Sequence, residues 1–173
     1  MPRSVQRSIA LSLAAFCVCT AQAHDGAHRA SGSATPVKHW DFTLPTLDGR
    51  RFVQLSKLEG GVLVNFWGRD CPPCVAELPR LQAFERDNPG WTVLLVSTDA
   101  PTEASQFLAQ RGISLQALRP GANVGALMRT AGNRHGALPY SVAVRGGAVC
   151  STHLGEVSAA QLDDLKAGCA APR

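Results

Sequence analysis

The chain has 173 residues, 45% apolar and 17% charged, with 17 Lys and Arg against 13 Asp and Glu and six cysteines. That length suits one ordinary domain with a real buried core rather than a string of several. The charge is nearly balanced and no basic run or basic strip interleaved with aromatics occurs, which excludes nucleic acid as an indicated partner.

Residues 1–23 read as an export signal. Arg3 and Arg7 form a positive start, residues 9–19 an apolar stretch, and Ala21-Gln22-Ala23 a small-residue cleavage site. The apolar stretch falls short of the roughly 20 residues that span a bilayer, so a membrane tether through an uncleaved signal is the weaker alternative. A lipid anchor is weaker still, since neither Cys17, preceded by Phe16, nor Cys19, preceded by Val18, follows the small residue that lipoprotein processing favours. The expected product is a soluble protein of the periplasm or another extracytoplasmic compartment. Cleavage leaves 15 basic against 13 acidic residues, a formal net charge of +2, and four cysteines where disulfides persist.

Residues 24–38, rich in Ala, Ser, Gly and His, read as a flexible leader, and residues 39–173 as the folded domain. Residues 41–44 and 51–54 are two short strand-like pieces around the Asp48-Gly49 turn signal, which predicts a hairpin. Residues 62–67 and 91–97 are unbroken apolar runs of the kind buried on both faces of a sheet. Between them, residues 71–87 carry Leu78, Leu81 and Phe84 at helical spacing, with Pro79 as the expected site of a kink. A second helix fits between Asp99-Ala100-Pro101-Thr102-Glu103 and Arg111-Gly112. Residues 140–144 and 148–153 flank the tight turn Arg145-Gly146-Gly147, and residues 158–166 read as a last helix capped by Ser158. This order predicts an α/β fold, a mixed sheet covered on both faces, with a hairpin extension at its N-terminal side.

Cys71-Pro72-Pro73-Cys74 lies where the first buried strand ends and its helix begins. Two cysteines at that spacing can close a small disulfide, and free backbone N–H groups and the helix dipole favour a thiolate at the first of them. The structural alternatives are half of a zinc knuckle or an inert short-range disulfide, and zinc wants a second close pair that the chain does not supply. Pro72 and Pro73 fix φ and remove two donors from the same loop, leaving its redox poise open.

Taken together, Asp41-Phe42-Thr43-Leu44, Leu47-Asp48-Gly49, the strand ending Asn65-Phe66-Trp67, the Cys71 to Cys74 motif, Glu77-Leu78-Pro79 and Pro139 resemble the thioredoxin superfamily. Within it they are similar to exported thiol:disulfide reductases of the TlpA/ResA type, over residues 39–168. The resemblance implies a thioredoxin-like fold and a protein disulfide oxidoreductase that needs no cofactor or metal. It implies Cys71 as attacking thiol, Cys74 as resolving thiol and Glu77, one turn beyond, as proton acceptor for Cys74. It also implies a cis bond before Pro139, with Leu138, Pro139 and Trp67 facing the substrate. Cysteine-containing proteins are the implied substrates, those of cytochrome c maturation or copper sites among them, with a membrane electron donor of DsbD-like type.

The chain departs from that pattern in three places. Asn65 stands where thioredoxins proper have a buried Asp, which leaves Glu77 as the better base. Tyr140 replaces a smaller residue after Pro139 and is expected to narrow the groove or add a stacking surface. Gly68-Arg69-Asp70 precedes Cys71 where a Trp is usual, and the Asp70 carboxylate is expected to disfavour the Cys71 thiolate while Arg69 opposes it.

Cys150 and Cys169 are candidates for a second disulfide, since a helix running back over its strand returns its end to the strand's start; a free Cys150 in the core is the alternative. His24 and His28 could chelate copper at a processed N-terminus, although a polar leader accounts for them, and His135 could lie near the sulfurs. Two other functions stay open. A copper-assembly module of this fold would use a CxxxC spacing, and a peroxidase of the peroxiredoxin branch a Thr or Ser three residues before its cysteine, where this chain has Gly68.

Overall fold

The computed structural model describes residues 39–170. The export signal, the leader, His24 and His28 lie outside the described residues.

Thr46 and Asp48 close the first turn. The Asp48 carboxylate accepts from the Thr46 hydroxyl at 2.5 Å and from the Arg50 N–H at 3.0 Å, so β1 (Thr43–Pro45) and β2 (Phe52–Gln54) pair antiparallel as a separate two-stranded sheet. The main sheet has the order β5-β4-β3-β6-β7. Its apolar runs form β3 (Gly61–Trp67) and β4 (Trp91–Ser97), which are parallel, and β5 (Gln116–Leu118) extends them on one edge. On the other side β6 (Tyr140–Arg145) runs antiparallel to β3 and continues into β7 (Ala148–Leu154). Gly146 and Gly147, both at positive φ, make the two-residue turn between them, a conformation that side chains other than glycine resist.

Helices α1 (Pro72–Asp87) and α2 (Pro101–Gln110) are the crossovers from β3 to β4 and from β4 to β5. Right-handed crossovers that step the same way along a sheet put their helices on the same face. Leu78, Leu81 and Phe84 of α1 therefore share one core with Ala104 and Leu108 of α2 and with Leu162 and Leu165 of α4 (Ala159–Gly168). The opposite face is covered by the hairpin and by α3 (Val124–Thr130), with Trp40, Phe66, Met128 and Tyr140 in its core. Helices do cover both faces, but among the described residues three lie on one and a single short one on the other.

Strand alternation divides β3 between these cores. Val62, Val64 and Phe66 face the hairpin, while Leu63 and Trp67 face α1. Asn65 lies between the latter two and points the same way, opposite Ser141 of β6 in register. The last helix starts as its sequence suggests: Ser158 Oγ accepts from the Gln161 N–H, and Gln161 Oε1 accepts in return from the Ser158 N–H. α1 runs through Pro79 without a break, the proline lying on its exposed side.

Candidate active site

Cys71 is the N-cap of α1, and its backbone is extended rather than helical. It is half-buried, whereas Cys74, one turn inside the helix, is wholly buried; the two form a disulfide with Cα atoms 5.3 Å apart. Pro72 and Pro73 occupy the first helical turn, where an α-helix carries unbonded N–H groups. They remove two of those donors. Of the rest, the Cys74 N–H reaches Cys71 Sγ at 3.4 Å and the Val75 N–H binds the Cys71 carbonyl at 3.1 Å. The helix thus presents one backbone donor to the outer sulfur.

Glu77 lies one turn beyond Cys74 and is wholly buried. Its two oxygens are held from different parts of the fold. Oε1 accepts from Asn65 Nδ2 at 2.7 Å and Oε2 from the Val157 N–H at 2.8 Å. The Val157 carbonyl in turn accepts from Arg80 of α1, which also pairs with Glu156 at 3.2 Å. One peptide segment before α4 is therefore gripped at both its N–H and its C=O by residues one turn apart on α1. Burial pushes the Glu77 carboxyl up from 4.5 to about 7, against the hydrogen bonds from Val157 and Asn65 that favour its charged form. A carboxyl in that range exchanges protons near neutral pH.

The register Phe66↔Tyr140 brings the end of β3 beside the start of β6 and so carries residues 68–71 toward Pro139. The Leu138–Pro139 bond is cis. Pro139 is buried and its carbonyl accepts from the Gly155 N–H at 2.9 Å, while Leu138 is half-buried and packs against the same core as Cys71. Gly68 sits between these parts. A Cβ there would meet Thr98 Oγ1 at 2.7 Å and lie 3.8 Å from Leu138 Cδ1, so a larger residue would have to turn the exposed Thr98 hydroxyl aside.

Two expectations are corrected here. Trp67 cannot face a substrate: its side chain is wholly buried, its ring 5.8 Å from that of Phe107, because alternation along β3 turns it into the α1 core. Tyr140 neither narrows a groove nor offers a stacking surface. Alternation on β6 turns it to the other core, where its ring stacks on Phe66 and its hydroxyl donates to the Ala131 carbonyl at 2.8 Å. His135 is exposed, beside Arg134 and Leu154 on a surface pocket flanking β7.

Before Cys71 the surface is charged. The Arg69 N–H donates to Asp99 Oδ2 at 2.8 Å, and its guanidinium lies 3.4 Å from Glu103 and 3.7 Å from Asp70. The Asp70 side chain is 88% exposed, so its field reaches Cys71 through water.

Cys150 and Cys169 form a second disulfide, joining β7 to the C-cap of α4. No cluster of three metal-binding side chains occurs among the described residues. The role of Asn65 as a partner of Glu77, and those of Ser141, Val157 and Arg80, escaped sequence reasoning. Asn65 and Ser141 did carry a signal, a lone amide among the apolar residues of β3 and a serine beside the apolar run Val142-Ala143-Val144 of β6; Val157 contributes only its backbone and carried none.

The AhpC/TSA family matches residues 36–126. The thiol-disulfide oxidoreductase ResA of Halalkalibacterium halodurans is 36% identical over 78 residues, 43% of this chain and 44% of that protein. ResA of Oceanobacillus iheyensis is 48% identical over 50 residues, 27% of this chain and 26% of that protein. The matches span less than half the length of these curated relatives. The crystal structure of a thioredoxin-related protein from Neisseria meningitidis serogroup B superposes with a TM-score of 0.64 at 28% identity, covering 72% of this chain and 97% of that one.

Proposed function

The chain belongs to the AhpC/TSA family, and from that premise we propose that it is a thiol:disulfide oxidoreductase that reduces disulfides in protein substrates through Cys71 and Cys74. One observation carries this reading: a half-buried sulfur caps α1, its buried mate lies one turn inward, and a buried carboxyl follows one turn later. That order matches the order of events. The Cys71 thiolate attacks a substrate disulfide, forming a mixed disulfide and releasing the first substrate thiol. Cys74 then gives its proton to Glu77 and attacks Cys71 Sγ, which expels the second substrate thiol and leaves the Cys71–Cys74 disulfide. Two electrons have moved to the substrate, and a dithiol donor, a membrane reductase of DsbD-like type, restores them.

Leu138 and Pro139 supply the edge along which the substrate backbone lies. The signal-like residues 1–23 support an extracytoplasmic site of action. Among the described residues no helix is long and apolar enough to cross a membrane. Cysteines of cytochrome c maturation or of copper sites are the substrate classes proposed.

The peroxidase reading lacks the hydroxyl it needs three residues before Cys71, where the chain has Gly68. Trapping tests the proposal: with Cys74→Ser, Cys71 should retain a substrate protein as a mixed disulfide that reductant releases. Insulin reduction, without peroxide turnover or copper uptake, should accompany it. A variant that traps nothing, in a protein that does not reduce insulin, would refute the assignment.

A further inference from the structure

Asn65 is wholly buried, and its amide is used on one end only. Nδ2 donates both to Glu77 Oε1 at 2.7 Å and to Ser141 Oγ at 3.0 Å, while Oδ1 has no hydrogen-bond partner among the described residues. This arrangement suits an ionised Glu77. It does not suit a protonated one, because Oε2 already faces a donor, the Val157 N–H, and a proton on Oε1 would point at the Asn65 NH2. An amide can resolve that conflict, since its two ends have nearly the same shape and opposite polarity. Turned over, Asn65 places Oδ1 where Nδ2 now lies, and that oxygen accepts the Glu77 O–H. Ser141 follows at no loss, because a hydroxyl that accepts from NH2 can equally donate to an oxygen.

We propose that the Asn65 amide turns over with the proton on Glu77, so that Asn65 is the positioning residue that lets this buried carboxyl both take and release a proton. The inference rests on the reading of Glu77 as the proton acceptor for Cys74. A fixed donor in this place would hold Glu77 charged, and a fixed acceptor would hold it neutral. Asn65 with Ser141 provides two hydrogen bonds in either state, and the unpartnered end of the amide is buried in both, so neither state is favoured by the hydrogen-bond count. The remaining groups around Glu77 do not change sides with it. Arg80 and Glu156 are paired with each other, Val157 presents a backbone N–H, and Cys74 lies on the same helix. Burial places the Glu77 carboxyl at about 7, the range in which both states are populated.

The test uses the full-length oxidised protein. The Glu77 side-chain carbon and the Asn65 side-chain NH2 are followed by NMR from about pH 5 to 9, a window centred on neutrality. The expected result is one shared midpoint, with the NH2 signals shifting as they exchange a carboxylate partner for none. A Glu77 that titrates beside an Asn65 amide whose signals stay flat would overturn the proposal. Asn65→Asp, whose carboxyl must share a proton with Glu77 and has no donor for it once both are ionised, should move the upper midpoint of the pair and of the exchange-rate profile upward by about one pH unit or more; an unmoved midpoint in a folded variant would also overturn it. The underlying assignment fails separately. If Glu77→Gln leaves the pH profile of exchange unchanged while the wild-type Asn65 signals follow Glu77, the amide still turns over but Glu77 is not the acceptor.

Discussion

The two disulfides among the described residues contrast in loop length and in surroundings. Cys71–Cys74 closes a sequence separation of 3 at the exposed start of a helix, while Cys150–Cys169 closes a separation of 19 between β7 and the end of α4, with Cys169 buried. Chain entropy makes the longer loop the stronger constraint, worth about 3 kcal/mol against about 2 for the shorter. Reactivity runs the other way. Only the first bond pairs a half-buried sulfur with a backbone N–H donor and a titrating carboxyl one turn behind its mate. Surroundings, rather than the bond itself, divide a reagent from a staple.

Replacing cysteines breaks this contrast most directly. Cys71→Ser should abolish insulin reduction while leaving thermal unfolding close to that of the reduced wild type, and residual catalysis would mean that another thiol attacks. Replacing Cys150 and Cys169 together by Ser should cost about 3 kcal/mol in denaturant unfolding and leave the exchange rate within about twofold. A large loss of exchange in that folded variant would show that the second bond takes part in the chemistry.

Glu77 sharpens the comparison, because nothing equivalent attends the second bond. Glu77→Gln should slow resolution of the mixed disulfide by about 100-fold near neutral pH and remove the rate's rise with a midpoint near 7. It should also change how stability responds to pH. The folded value of about 7 lies above the unfolded value of 4.5, so this group's contribution is complete below 4.5 and is lost as pH climbs through about 7. Wild-type melting temperature should therefore fall relative to Glu77→Gln between those limits. The smallest effect is expected at Asp70. Because its side chain is exposed and lies 3.7 Å from Arg69, Asp70→Asn should lower the pH at which Cys71 becomes open to alkylation by only about 0.3 unit. A shift of a full unit would mean that Asp70 acts on the sulfur directly.

Local signals explain which parts of this fold could be read in advance. The apolar runs of β3 and β4, the Gly146-Gly147 turn and the Ser158 cap are each specified within a few residues, and they appear where expected. β5 and α3 were not anticipated. β5 is three residues long and owes its existence to pairing with Leu94, Leu95 and Val96; α3 has seven residues and is held by its Asn123 cap and by burial of Met128. Segments that short have too little periodicity of their own, and their partners create them.

The site divides along the same line. Cys71, Cys74 and Glu77 stand three residues apart, so helix geometry alone stacks them, and their chemistry was legible from that spacing. The environment that gives Glu77 its acidity was not. Asn65 lies 12 residues before it, and the Val157 N–H that holds its other oxygen lies 80 residues after it. Those groups meet because β3, β6 and the segment before α4 are brought into contact by sheet register and packing. Which way Trp67 and Tyr140 point was settled by that same register. Composition and spacing carry the identity of reactive groups, whereas solvation and long-range hydrogen bonds, which tune them, exist only once distant segments exclude water together.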